Sequence, residues 1–305
     1  MQTVGRFAPS PSGRMHLGNV LCALLAWLSA RHQNGAFLLR IEDLDAMRCP
    51  RSYADLIMDD LRWLGLDWDG EVPYQSERAP IYEKYEQILR EKGLLYPCFC
   101  SRAALHAASA PHLSAGRVLY AGTCPELTPA EIEDKRKKRA PATRVRVPDE
   151  IISFTDGVFG AYSENLAEEC GDFIIRRSDG VFAYQLAVTV DGGRSGVTEV
   201  VRGSDLISST PRQIWLYRLF GFEPPHFVHI PLLCDVDGRR LSKRDEDLDL
   251  GLLRERFTPE QVIGALAFAA HLTDRAEPAS VRELVQDFDW SRIPRHELYL
   301  PPMFR

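Results

Sequence analysis

The spacing of apolar and polar positions changes period several times along the chain, and each change marks an element. "TVGRFAPS" reads as a short strand that runs into a loop. In "GNVLCALLAWLSARHQ" apolar residues recur three and four positions apart, the period of a helix. "AFLLRIEDL" is a second strand, largely buried. Strand, helix and strand in this order predict a βαβ unit with parallel strands and a right-handed crossover. Helices are expected next over about 53–64 and 81–91.

Near Tyr96 the pattern changes. "YPCFC" opens a region of small residues and scattered histidines. "ATRVRV", "IISFTD", "VFGAYS" and "GDFIIRRSDGVFAYQLAVTV" follow, read as short strands split by Asp-Gly turns and more antiparallel in character. The strand and helix alternation resumes with "GVTEVVRGSDLI", a helix in "TPRQIWLYRLFG", and "HFVHIPLLCDVDGRRLSKRDEDL". From "TPEQVIGALAFAAHL" the tail reads as helical. No internal repeat or low-complexity tract interrupts this order. The expected architecture is α/β: a Rossmann-like, parallel-sheet nucleotide-binding domain in two halves (1–95 and 181–245). An α+β region is inserted between them (96–180), and a short helical tail follows (246–305).

The chain has 305 residues, 45% of them hydrophobic, enough for one large core or two to three smaller units. It has no apolar run long enough for a transmembrane helix, and "MQTVGRFAPS" has no signal-peptide pattern. No membrane partner is expected, the compartment is read as the cytoplasm, and a monomer is the expected state. Seven cysteines without a secretory signal argue against a disulfide framework and for testing clustered cysteines as metal ligands. A net charge of −6 argues mildly against nucleic acid as a partner, although a local patch can override the sum.

Two stretches carry candidate chemistry. "PSPSGRMHLGN" lies where a strand of a parallel sheet hands over to a helix, a place where free N–H groups and the helix dipole favour an anion. Pro9 and Pro11 hold the loop extended, Gly13 and Gly18 allow close approach, and His16 can donate to a phosphate oxygen. The bland alternative is a Pro/Gly turn with an ordinary helix-start histidine. In "GRRLSKRDEDL", Ser242 and Lys243 sit where a loop lysine can follow charge developing on a triphosphate, or simply stand in a solvated basic loop.

Together the two stretches resemble the H-I-G-H and K-M-S-K-S signatures of class I aminoacyl-tRNA synthetases. "RFAPSPSGRMHLGN", "LLRIEDLD", "YQLAVTVD" and "VVRGSDLI" resemble the glutamyl branch of that class, in the same order, from about residue 5 to 244. Two positions depart from the second signature: Arg240 replaces its first lysine and Arg244 its last serine. The resemblance implies ATP, with Mg²⁺, bound by His16, Gly18, Asn19, Ser242 and Lys243. His16 and Lys243 would be catalytic. It implies L-glutamate bound by Arg6, Ala8, Ser10, Glu42, Tyr184 and Arg202. Residue chemistry agrees in kind, because Arg forks suit carboxylates and a carboxylate suits an ammonium. It leaves open whether Arg40 and Asp43 only form surface ion pairs around Glu42. Strand alternation puts Glu42 and Asp43 on opposite faces without saying which one faces a site.

Cys98, Cys100 and Cys124 offer three thiolates, suited to one tetrahedral structural zinc or to a trio of buried reduced cysteines. On chemistry alone the fourth ligand is open among His106, His112 and Tyr120. The resemblance implies Tyr120, since "YAGTC" matches a Y-x-x-x-C element of the branch. Cys22, Cys49, Cys170 and Cys234 stand alone and read as packing residues. "DKRKKRAPATRVR" holds seven basic residues against one acid; it can track a phosphate backbone or form a solvated helix face.

After Lys243 only residues 244–305 remain, which is short for an anticodon-binding domain, so none is expected. The branch whose members lack that domain is the glutamyl-queuosine tRNA(Asp) synthetases. This resemblance implies glutamate activation without tRNA, then transfer to queuosine at the wobble position of tRNA(Asp). Other readings are a tRNA(Glu)-charging catalytic domain, a non-tRNA nucleotidyltransferase, or a zinc-stabilised RNA-binding paralogue without chemistry.

Overall fold

Strand β1 (Val4–Phe7) alternates half-buried and buried residues and pairs in parallel with β2 (Ala36–Leu39), Val4 facing Ala36 and Phe7 facing Leu39. Between them runs helix α1 (Leu17–His32), giving the expected βαβ unit. The computed structural model describes residues 2–100, 120, 122–235, 238 and 249–304. Burial of α1 is nearly continuous from Val20 to Ala30, so it is a central core helix rather than an amphipathic surface one. Truncating a fully buried residue of this helix, such as Leu24→Ala, should cost about 2–5 kcal/mol.

Helices α2 (Arg51–Trp63) and α3 (Ala79–Glu91) follow. Strand β3 (Leu95–Cys98), helix α4 (Pro129–Lys138) and strand β4 (Ala142–Val145) come next, then the hairpin β5 (Ile151–Asp156) with β6 (Gly160–Asn165), and β7 (Phe173–Arg176). β3, β4 and β7 form an antiparallel sheet, and β5 pairs antiparallel with β6, as the Asp-Gly turns lead one to expect. Helix α4 starts at a Thr128 capping box and buries no residue.

The segment "YQLAVTV", expected as a strand, is instead helix α5 (Tyr184–Arg194). Its Val and Thr residues favour a strand locally, but Leu186 to Gly192 are all buried. A segment enclosed on every side shows neither strand alternation nor a helical stripe, so tertiary packing decides. Gly192 makes that packing possible: any Cβ there would collide with the Tyr217 hydroxyl.

Strand β8 (Glu199–Gly203) leads into helix α6 (Thr210–Leu219), then β9 (His226–Ile230) and β10 (Leu233–Cys234). β8 and β9 pair in parallel. The Thr198 N–H bonds Val4 O, which ties this pair to β1. Helices α7 (Leu250–Arg256), α8 (Pro259–Ala269) and α9 (Val281–Leu284) follow in the tail. The tail is not wholly helical, because β11 (Leu298–Tyr299) pairs in parallel with β10. Leu250, Ile263, Leu266 and Phe304 of the tail share one apolar core with Leu24, Phe37 and Val228. Among the described residues no helix is long and apolar enough to cross a membrane.

Candidate active site

The ends of β1, β2 and β8 open onto a cavity of about 500 Å³. Its wall includes Arg6, Ala8, Ser10, His16, Gly18, Asn19, Glu42, Tyr184 and Arg202. Every described residue assigned above to nucleotide or amino acid is therefore on one surface, although the chain separates them by up to two thirds of its length. Ser242 and Lys243, with Arg240 and Arg244, lie outside the described residues. The described residues on either side border the same region: Leu232 and Leu233 line the cavity, and Asp249 pairs with His16 while the Leu250 N–H bonds Met15 O.

His16 occupies the N-cap of α1. Its Nδ1 accepts from the Gly18 N–H at 3.1 Å, and its own N–H is answered by Asn19 Oδ1, a capping box built on histidine rather than serine. An accepting Nδ1 puts the ring proton of the neutral imidazole on Nε2. A Cβ at position 18 would come to 3.0 Å from the His16 ring, which favours glycine two residues after the histidine. The loop is held from behind by Arg14, which forks onto the fully buried Asp60 of α2 at 2.8 and 3.1 Å; Arg254 of α7 shares that carboxylate.

Charge is concentrated on the other wall. Arg6 reaches from β1 to Val201 O at 2.6 Å. Burial, then the nearby charges of Arg40 and Arg202, lower its pKa. Glu42 is bonded by Arg40 through Oε1 at 2.7 Å. Burial works against the Arg40 charge, but Glu42 and Asp191 outweigh it and the pKa rises. Asp191, fully buried on α5, accepts from Gln75, Arg78 and Tyr82. Arg40 and Glu42 are thus a buried pair on the cavity wall, not a surface pair. Asp43 points elsewhere and caps the turn at Ser76 through its N–H and hydroxyl. The alternation rule was right that the two acids part company, and the fold chooses Glu42 for the cavity.

Arg40, Asp205 and Cys22 also line the cavity and were not assigned to it from sequence. Arg40 was within reach of the pattern, since it lies two residues from Glu42 on the same strand face. Cys22, read as packing, bonds Val201 O weakly, and burial pushes its pKa up to about 11. Nothing in its neighbours along the chain marks it.

A second cluster lies in the β3–β4 region. The sulfurs of Cys98, Cys100 and Cys124 are all within 4.8 Å of one another. The Tyr120 hydroxyl lies 3.7 and 3.9 Å from Cys98 and Cys100 Sγ and accepts from the Cys124 N–H. Arg144 Nε points at Cys98 Sγ from 3.2 Å, and the Phe99 N–H at Cys124 Sγ from 3.5 Å. Three convergent sulfurs with N–H donors behind them fit a metal ion that binds thiolates. Tyr120 stands where a fourth ligand would; His106 and His112 lie outside the described residues. Arg144, part of the basic run, is buried against Cys98, Asp172 O and the Tyr120 ring, so it is not available to a polyanion.

The model of the class I tRNA synthetases (E and Q), catalytic domain, matches residues 2–291, and the chain belongs to that family. Its relatives include a protein from Symbiobacterium thermophilum named Glutamyl-Q tRNA(Asp) synthetase, 48% identical over 97% of this chain and 95% of the relative. A protein of the same name from Nitratidesulfovibrio vulgaris is 46% identical over the same shares. A crystal structure of a glutamate tRNA ligase from Elizabethkingia meningosepticum, in complex with its amino acid, has a TM-score of 0.85 at 27% identity. It matches 100% of this chain and 68% of the ligase.

Proposed function

We propose that this chain uses ATP to activate L-glutamate as glutamyl-adenylate, without tRNA, and then transfers the glutamyl group to queuosine at the wobble position of tRNA(Asp). The observation that carries the first step is the charge pattern of the cavity. Glutamate brings two carboxylates and one ammonium. The wall offers Arg6 and Arg202 as carboxylate partners and Glu42 for the ammonium. Among the described residues only Arg40 bonds the Glu42 carboxylate, through Oε1, which leaves Oε2 to accept from the ammonium.

The nucleophile is the α-carboxylate of glutamate, already ionised, so no general base is required. Catalysis is positioning plus stabilisation of charge that builds on the phosphate oxygens. The His16 ring proton on Nε2 serves that charge directly; the Gly18 and Asn19 N–H groups are held within the cap by His16 Nδ1 and His16 O, so the helix start around them contributes through its dipole. Ser242 and Lys243 supply the second grip, with Mg²⁺ arriving on ATP as part of the substrate. In the transfer step a hydroxyl of the queuosine diol attacks the activated carbonyl and AMP leaves. Zinc, held by Cys98, Cys100, Cys124 and Tyr120, would tie the end of β3 to the segment that precedes α4 and do no chemistry. The exposed helix α4, whose last turn holds Lys135, Arg136, Lys137 and Lys138, is the face offered to tRNA phosphates. The enzyme acts as a monomer in the cytoplasm.

Pyrophosphate exchange with glutamate and ATP tests the first step. Exchange without tRNA is expected; none with or without tRNA would reduce the chain to a binding protein. For the second step, labelled glutamate should appear on tRNA(Asp) from cells that make queuosine and not from cells that lack it. Label on tRNA(Glu) instead would make this a charging enzyme for that tRNA.

A further inference from the structure

One guanidinium on the cavity wall is aimed partly by side chains that do not line the cavity, His229 and Thr210. Arg202 on β8 is 5% exposed and sends its N–H groups inward. Its Nε donates to His229 Nε2 at 3.0 Å and its Nη1 to Gln213 Oε1 at 2.8 Å. Its Nη2 donates to Thr210 Oγ1 at 2.8 Å and to Leu206 O at 3.3 Å. A guanidinium has five N–H groups, so these bonds leave a single Nη1 N–H for a ligand. Arg6, by contrast, makes one bond, to Val201 O, and keeps its fork. Where a single donor must meet a carboxylate, its direction is decisive.

That direction is set from β9 and β5. His229 is fully buried, and its Nδ1 lies 2.6 Å from Asp156 Oδ2. Asp156 is held in turn by the main-chain N–H groups of Val158, Phe159 and His229. One arrangement satisfies all three side chains: the imidazole is neutral, Nδ1–H donates to Asp156, and bare Nε2 accepts from Arg202 Nε. Thr210 Oγ1, 3.3 Å from Nε2, accepts from Arg202 Nη2 and so holds the guanidinium beside the ring. The charged groups facing His229 are Asp156 from β5, Arg202 from β8 and Arg6 from β1. Burial and the two guanidiniums hold its pKa below the ordinary value against the pull of Asp156.

We propose that Asp156 and His229 are positioning residues for amino-acid recognition: they fix a neutral Nδ1–H imidazole whose Nε2 aims Arg202 at a carboxylate of the substrate. The proposal rests on glutamate being the substrate of the cavity.

Two substitutions of His229 separate its two bonds. In His229→Asn the amide N–H can replace Nδ1 toward Asp156 but leaves Arg202 Nε without an acceptor. In His229→Gln the amide oxygen falls near the place of Nε2 and accepts from Arg202. Measured by pyrophosphate exchange, His229→Asn should raise the glutamate KM roughly 10- to 100-fold, the worth of one hydrogen bond to a charged group. The ATP KM should stay within about twofold, and His229→Gln should return the glutamate KM to within about threefold of the parent, because the acceptor is restored. Equal changes in both KM values, an unchanged glutamate KM in a folded His229→Asn protein, or a His229→Gln protein no better than it would overturn the proposal. If neither variant folds, ¹⁵N-histidine NMR of the parent protein decides: a neutral Nδ1–H ring at pH 7 is expected, and an imidazolium or an Nε2–H ring would overturn it. Failure of the parent protein to exchange with glutamate would reject the substrate and leave the NMR result to judge the geometry alone.

Discussion

The cavity at the ends of β1, β2 and β8 and the cysteine cluster solve the same problem, holding polar groups in place, by opposite means. Arg40 and Arg202 are each fixed by buried protein partners, Glu42 and Asp191 for one, His229, Gln213 and Thr210 for the other. The cavity is therefore formed before any ligand arrives. The cluster of Cys98, Cys100 and Cys124 belongs to a much smaller apolar core, shared with Tyr96, and its sulfurs point at one another. Like groups converging in this way gain little from each other and much from a cation. The lesson is that preorganisation can come from a hydrogen-bonded network or from an ion, and the two should fail under different treatments.

The largest expected effect falls on the chemistry that neither region performs alone. Lys243→Ala should slow adenylate formation by about 10²- to 10³-fold, the loss typical of a transition-state charge partner. Glutamate binding, measured by calorimetry, should change little, because the cavity is complete without that lysine. A matching loss of binding would mean that the cavity is not preorganised. Next comes Glu42→Gln, which removes the ammonium acceptor and leaves Arg40 without its closest counter-charge. The glutamate KM in pyrophosphate exchange should rise roughly 10- to 100-fold. The metal content should not change, and if it does, the two regions are coupled.

Chelation should act the other way. It should release about one zinc per chain, seen by elemental analysis, and expose the β3–β4 region to limited proteolysis. Exchange with glutamate and ATP should survive largely intact while transfer to tRNA falls. Protein prepared without chelators that holds no zinc would reject the site. The smallest effect is on pH. Both His229 and Asp156 have folded-state pKa values below their ordinary ones: burial and neighbouring guanidiniums lower the first. Burial alone would raise that of Asp156, but bonds from His229 and the main chain outweigh it. Groups depressed on folding bind more protons when unfolded, so stability is full above the ordinary pKa and is lost as pH falls. Thermal midpoints should begin to drop below about pH 6.5 as His229 titrates and again below the usual aspartate range. In His229→Gln the upper arm should vanish and the lower one should shrink, because Asp156 keeps its main-chain bonds but loses the one from the ring.

Much of this site could be read along the chain, and what could not has a common cause. The candidate nucleotide loop is legible because its parts are neighbours: His16, Gly18 and Asn19 cap one helix within a single turn. The cysteine cluster is legible because Cys98 and Cys100 announce each other and Tyr120 stands four residues before Cys124. The residues that hold the arginines of the cavity wall are not. Asp191 reaches Gln75 and Arg78 across more than a hundred positions, and Asp156 meets His229 across 73. No spacing rule operates at that range.

Capping, alternation and helical period act over a few residues, so the chain's own order was enough to write down the βαβ entry, the two helices that follow it and the chemistry on offer. The helical state of Tyr184–Arg194, the turning of Glu42 rather than Asp43 to the cavity, and the burial of Arg144 were settled only by packing. In each case the local preference was weak or divided. The free energy that chose came from excluding water around groups distant in the chain.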